Sequence, residues 1–458
     1  MFVRLLYLRN SCIFLSVLGA CDTSRVERKT QQSGSFDQLV DAFSADYQRL
    51  DLPPLHLAFV DNINALGDQQ TLLLQRAVFE KYADKLTQFD ARTLRLCERI
   101  EYAIIETEVN FGRERAELGL RYLEQGANLN RAERLADIPL GSEWYRFYLN
   151  RWNGAKLDLD EIYAFGERQL ALSVAGYDAI QAQLGFAGDA EGLAQHLANY
   201  QPLLDGDGET LALFSQLQHQ VWERLPSLFA SDYSVDLAAI KRSDRGVDFP
   251  VPGYYNLAEK TFYYNLVDAG FEARQADWLF LHEGTPGHHF QMNAASLSRQ
   301  CEQRLPGIFH PAFVEGWAAY TETLGEALGL YQTPEARLAA IEWDMVRSVR
   351  VVLDVAINAY GWSDAQALDY WRTHVRGQLN LAKREIDRMK RWPAQVVTYK
   401  YGAEVFQRVK SDYEKTSDNP AATMAFHSAA LTHGPMPLAT FADLFEQMVE
   451  AVPTQQTK

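Results

Sequence analysis

Three of the chain's ten histidines and one glutamate fall within eight residues, in the stretch Leu281-His282-Glu283-Gly284-Thr285-Pro286-Gly287-His288-His289-Phe290-Gln291. The apolar run Trp278-Leu279-Phe280-Leu281 leads into it. Imidazoles are the usual ligands of catalytic zinc, and a Glu directly after the first His occupies the general-base position of the pattern His-Glu-x-x-His. That pattern sets two imidazoles one helical turn apart. Here the fourth position after His282 is Pro286, which cannot bind metal, and the next imidazoles come six and seven residues on. On an ideal helix His289 returns to the face of His282 but about 10.5 Å along the axis. Proline followed by glycine predicts a bulged or kinked helix, and a two-residue bulge sets His288 where the i+4 ligand normally lies. The expected ligands are therefore His282 and His288, with His289 beside the site.

Catalytic zinc usually takes three protein ligands and leaves a fourth position open. Glu315, in Phe313-Val314-Glu315-Gly316-Trp317-Ala318-Ala319-Tyr320-Thr321-Glu322, is the best third candidate, because an unpaired carboxylate in so apolar a helix is costly. Glu322, seven residues on, returns to nearly the same face and is placed to hold a ligand His in one tautomer. The alternative reading makes both ordinary helix-surface glutamates.

These motifs must be positioned by helices. Phe36, Leu39, Val40, Phe43 and Tyr47 fall at i, i+3, i+4 and i+7 spacing, and helical periodicity dominates from there on. It covers 71–89, 93–111, 157–175, 191–200 and 211–229, then 312–328, 334–360, 363–389, 393–416 and 437–452. Only 247–255 and 261–267 are rich in aromatic and β-branched residues, which predicts a short antiparallel β element just before the metal motif. Such an edge can take a peptide as an added strand. The expected fold is mostly α: one large helical domain over 36–458 with a short antiparallel β element beside the cleft.

Taken together the motifs resemble those of the bacterial family labelled domain of unknown function 885, regarded as zinc-peptidase-like proteins of the gluzincin type. The resemblance rests on His-Glu-x-x-Pro-Gly-His-His-x-Gln followed by Glu-Gly-Trp-Ala-x-Tyr-x-Glu. Further matching stretches are Tyr264-Asn265, Arg350 to Asp354, Glu385 to Arg388, Pro393 to Gln395, Tyr399 to Gly402 and Phe426-His427. It implies one zinc ion on His282, His288 and Glu315, a peptide substrate, and Glu283 as general base to a metal-activated water. Tyr399 and His289 are the candidates to stabilise the developing oxyanion. Arg388 and Arg350, at positions where the family carries arginine, are candidates to clamp a substrate carboxylate in a carboxypeptidase, internal salt bridges being the alternative for each. Asn265 is a further candidate substrate contact. Relatives often carry His where this chain has Asn358, so a contact at or behind the site is expected to differ. A binding lipoprotein that keeps the metal shell without catalysis is the rival reading, and the intact Glu283 favours the enzyme.

The chain has 458 residues, 44 basic against 60 acidic, and a net charge of -16. With no surplus of Lys and Arg, phosphate-backbone binding is disfavoured. Arg4 and Arg9 stand at the start of an apolar stretch, Cys12 to Leu18, that ends in Gly19-Ala20-Cys21. Residues 1–20 read as an export signal. The stretch also resembles a bacterial lipobox, which makes Cys21 the lipidated first residue of the mature chain and the lipid its sole membrane attachment; a plain signal peptide is the alternative. Asp22 resembles the signal for retention at the inner membrane, which suggests its periplasmic face in a Gram-negative bacterium. Residues 21–35 read as a flexible tether. Cys97 and Cys301 could pair in an oxidising periplasm, but two cysteines so far apart in sequence make no disulfide framework, and buried free thiols are the favoured expectation.

Overall fold

In a computed structural model of the chain, residues 23–452 are described apart from 127–131, 201–202, 205, 231–232, 234, 246–250, 267–269, 298 and 303, with side chains from residue 35. The signal stretch and Cys21 lie outside these residues.

The architecture is mostly helical with one small sheet. The amino-terminal half carries α1 (Thr23–Arg49), α2 (Phe59–Asn64), α3 (Gln69–Leu86), α4 (Leu96–Glu124), α5 (Gly141–Asn153), α6 (Leu159–Gln183), α7 (Ala190–Tyr200) and α8 (Asp207–Arg224). Then come β1 (Ala239–Arg242), β2 (Gly253–Asn256), β3 (Thr261–Tyr264), α9 (Ala276–Glu283), α10 (His288–Leu297) and α11 (Pro311–Thr321). The chain ends with α12 (Pro334–Asn358), α13 (Asp364–His374), α14 (Ala382–Arg391), α15 (Val397–Thr416), α16 (Ala422–Thr432) and α17 (Leu438–Ala451). No helix among the described residues is long and apolar enough to cross a membrane.

Several boundaries differ from those expected. Helix α1 starts at Thr23, so helical backbone runs through the stretch read as a tether. Glu27, Arg28, Lys29, Gln31 and Gln32 are good helix formers, and their low hydrophobicity argues against a core-facing segment, not against a helix. The single helix expected over 363–389 is two, α13 and α14, parted by residues 375–381. The sheet is mixed, in order β1-β3-β2. Strands β2 and β3 pair antiparallel, Tyr255 opposite Phe262, but β1 joins β3 in parallel, Ile240 opposite Phe262. The sequence Ala-Ile-Lys-Arg of β1 is mostly exposed and lacks the alternation that marks a strand, so its pairing is set by tertiary contact.

Cys97 at the start of α4 and Cys301 form a disulfide, Cα to Cα 5.3 Å across 204 residues of sequence, which corrects the expectation of free thiols. Spacing along the chain carries no information on so distant a pair.

Helix α12 is the centre of the molecule. From Met345 to Asn358 every residue is buried, as expected for a helix covered on all sides. Its buried polar residues Arg347, Arg350, Asp354 and Asn358 recur at three- and four-residue spacing, so they share one face. Arg347 reaches Glu322, Arg350 reaches Glu385, Asp354 accepts from the Ala394 amide, and Asn358 donates to the Met389 carbonyl. That stripe ties α12 to the segments that carry the candidate site.

Candidate metal centre

His282 and Glu283 close α9, and His288 opens α10. The chain between them is not the bulged helix expected from Pro286-Gly287 but a clean break between two helices. Gly284 leaves the helix at φ -96°, ψ -120°, the Thr285–Pro286 peptide is cis, and the Pro286 carbonyl accepts from the Trp317 indole at 2.9 Å. A Cβ at position 287 would lie 1.9 Å from the His282 carbonyl oxygen, so only glycine permits this return. It brings the His282 and His288 rings to a centroid distance of 4.9 Å, nearly perpendicular.

Glu315 arrives from α11, with Oε2 3.7 Å from Nε2 of His282 and 3.4 Å from Nε2 of His288. The three ligand atoms all lie within 4.8 Å of one another. Zinc at about 2.0–2.2 Å from each ligand holds tetrahedral donors roughly 3.3–3.6 Å apart, so the spacing of Glu315 to His288 falls within that range and the spacing to His282 just beyond it. Glu315 reaches this position because α11 crosses α15 closely. A Cβ on Gly316 would stand 2.5 Å from Cα of Gly402.

The charges around the triad are paired in a relay. Nδ1 of His282 lies 2.7 Å from Oε1 of Glu322, and Nη1 of Arg347 donates to Oε2 of Glu322 at 2.6 Å. With Nδ1–H donating to Glu322, Nε2 faces Glu315. Burial pushes the His282 imidazolium pKa down, but Glu315 and Glu322 outweigh it and lift it to about 9. Burial pushes Glu315 up, and the two imidazoles hold it well below the carboxylate range. Glu315 is thus balanced by protons that a divalent cation would displace. Glu283 is raised by burial and by Glu315, against the lowering effect of His282, His288 and the Tyr255 amide. That amide donates to Glu283 Oε2 at 2.9 Å from strand β2.

Tyr399, on α15, stands with its ring centroid 6.1 Å from His282. Its hydroxyl oxygen accepts from Arg388 and from Gln395, each at 3.2 Å, which leaves its proton to donate elsewhere. Burial and the charge of Glu315 raise its pKa. Arg388 also donates to Gln395 at 2.8 Å, and its side chain is 25% exposed.

Three other sequence-based expectations are corrected, those for His289, Arg350 and Asn265. His289 turns away from the triad: Nε2 donates to the Asp236 carbonyl at 2.8 Å and Nδ1 meets the Tyr255 hydroxyl at 3.2 Å, so it is committed as a strut. Arg350 is 4% exposed and paired with Glu385 at 2.8 Å, the internal salt bridge that was its alternative. Asn265 is 2% exposed at the end of β3, its backbone amide donating to the Pro252 carbonyl, a structural position with little surface to offer a substrate. Asn358 is fully buried and bonded to Asp354 and Met389. A contact altered at this position therefore lies behind the surface and not on a substrate. Two residues of the site escaped sequence reasoning, Tyr255 and Arg347. Tyr255 belongs to a stretch legible only as a strand, and Arg347 has no local signal beyond a cation on an apolar helix. His427, in the family-like carboxy-terminal stretch, lies flat on Phe229 with centroids 4.2 Å apart and bonds to Tyr320.

A crystal structure from Colwellia psychrerythraea, described as a "putative lipoprotein", resembles this chain at a TM-score of 0.62 and 20% identity, over 93% of this chain and 76% of that one. Another from Shewanella oneidensis, described as a "putative lipoprotein of unknown function", gives 0.67 at 16% identity, over 90% and 99%. At these identities the likeness is one of fold. No functionally curated protein matches the chain. The family model described as "Bacterial protein of unknown function (DUF885)" matches residues 120–444, and the chain belongs to that family.

Proposed function

We propose that the protein is a zinc-dependent peptidase acting on short peptides. The observation that carries this reading is the convergence of His282, His288 and Glu315 with a fourth group, Glu283, held beside them by the Tyr255 amide. A structural metal site has no need of that carboxylate. His282, His288 and Glu315 would hold the zinc, which would supply Lewis acidity and make a water acidic enough to act near neutral pH. Glu283, its pKa raised by burial, accepts the proton at its carboxylate and returns it to the leaving amine. The Tyr399 hydroxyl, oriented by Arg388 and Gln395, donates to the oxygen on which charge develops. Glu322 and Arg347 keep His282 in place.

Arg388 is the remaining candidate for a substrate carboxylate, which makes a carboxypeptidase the preferred form of the reading. Strand β2 lies at the edge of the sheet beside Glu283 and supports docking of an extended peptide. Lipid anchoring through Cys21 at the periplasmic face of the inner membrane belongs to the same reading, supported by the lipobox-like sequence and the description of the two similar structures.

The test is hydrolysis of a peptide library by zinc-loaded wild type and Glu283→Gln, with zinc content measured in both. Cleavage by wild type alone, at equal zinc, is the expected result. Equal cleavage by both removes Glu283 from the mechanism. Amidating the substrate's carboxy terminus should abolish release of single residues; equal rates on amidated peptides would exclude the Arg388 clamp.

A further inference from the structure

A second chemically marked place lies in the amino-terminal half. A cavity of about 430 Å³ opens between α3, α4, α5 and the 51–56 turn, and none of the triad residues lines it. Its walls are largely aromatic, with Phe79, Phe111, Phe147, Tyr148 and Trp152. Into this apolar setting α4 brings Arg115, which is 7% exposed. One guanidinium nitrogen, Nη1, donates to the Gln75 side chain at 3.0 Å. The other, Nη2, has no hydrogen-bond partner, and among the described residues no carboxylate pairs with Arg115.

That is an unusual charge for an acidic chain to bury. A guanidinium withdrawn from water without a counter-charge is strongly disfavoured. The neighbouring charges do not supply one. Glu108 lines the same cavity, but it is taken by Arg151 at 3.1 Å and by the Tyr47 hydroxyl at 2.7 Å. Asp51 lines the rim, exposed to solvent. The buried part of the cavity therefore carries one positive charge in excess, in a volume within the range of small-molecule sites.

We propose that this cavity binds a small organic anion, its carboxylate drawn by the uncompensated charge of Arg115 in the cavity wall and its apolar remainder against the aromatic rings. A guanidinium edge matches a carboxylate in geometry and charge. The room beyond it and the rings around it select a ligand with apolar bulk over a bare inorganic ion. The site is separate from the metal triad and does not depend on the peptidase reading.

Calorimetric titration of the full chain with phenylacetate, phenylacetamide and inorganic phosphate tests the proposal. Phenylacetate should bind wild type saturably, and phenylacetamide about tenfold or more weakly, the worth of one charge-assisted hydrogen bond. Arg115→Met should lose phenylacetate binding by a similar factor while melting at or above the wild-type temperature, since it removes a desolvated charge. Should that variant not fold, Arg115→Lys and the wild-type comparison of phenylacetate with phenylacetamide carry the test. His288→Ala should bind phenylacetate as wild type does, which separates this cavity from a carboxylate bound at the metal triad. The proposal is overturned if phenylacetate does not bind, if a folded Arg115→Met binds it unchanged, if His288→Ala abolishes binding, or if phosphate binds as tightly.

Discussion

Arg347 and Arg115 are buried to nearly the same degree, 5% and 7% exposed, yet only one of them has a counter-charge. At the metal centre Arg347 meets Glu322, Glu322 meets His282, and His282 faces Glu315. In the α4 cavity Arg115 meets one neutral amide and stops there. In the first arrangement every buried charge has an opposite partner within 3.7 Å. The second leaves Nη2 of Arg115 buried without a partner. Where burial of an ion is compensated, the group is architecture; where it is not, the desolvation cost stands uncompensated, which is the ground of the anion site proposed at Arg115.

The comparison can be broken most severely at the metal. His288→Ala should reduce bound zinc from about one per chain to a small fraction, since two protein ligands do not make a catalytic site, and hydrolysis should go with it. His289→Ala should keep its zinc, because that ring is bonded to Asp236 and Tyr255; the reverse pattern by elemental analysis would reassign the second ligand. Next comes Glu283→Gln, expected to slow turnover by about 10²–10⁴-fold at unchanged zinc content. Glu322→Gln and Arg347→Met should weaken zinc binding by about 10–100-fold, as loss of an outer partner does, read by competition with a chelating dye. Arg347→Met should also destabilise the fold by roughly 3–5 kcal/mol, because it strands the Glu322 carboxylate.

The smallest effect concerns a third way of meeting the cost of burial, with a proton. Asp354 is fully buried, and burial raises its pKa to about 7 against hydrogen bonds from Ala394 and Asn358. A carboxyl whose folded pKa lies above its unfolded value near 3.9 contributes stability that is complete below about pH 4 and lost as pH rises through about 7. Urea midpoints of wild type should therefore fall between pH 5 and pH 8 relative to Asp354→Asn, by on the order of 2–4 kcal/mol at most. Parallel pH profiles for the two proteins would show that Asp354 is ionised throughout.

Much of the site was legible because its signals are local. The pairing of His282 with His288 follows from Pro286-Gly287 breaking a helix, and Glu315 from a carboxylate in an apolar helix; the error lay in reading a bulge where the chain starts a second helix. What stayed hidden depends on partners distant in sequence. Clamp and salt bridge are equally open for Arg350 until Glu385 is packed against it, and the direction of His289 is fixed by a carbonyl at Asp236. Strand β1 has no pattern of its own and is a strand only because β3 is beside it. The helical class, by contrast, is written at every third and fourth residue from Phe36 onward.

The Cys97–Cys301 bond encloses a covalent loop that contains both histidines of the candidate metal triad and closes shortly before Glu315. A loop of this length removes about 5 kcal/mol of freedom from the unfolded chain on entropic grounds. Assembly of the centre thus becomes a matter of geography: a chain made where thiols stay reduced must bring its third ligand home without that tether. A chain oxidised on export begins with the ends of the loop already joined.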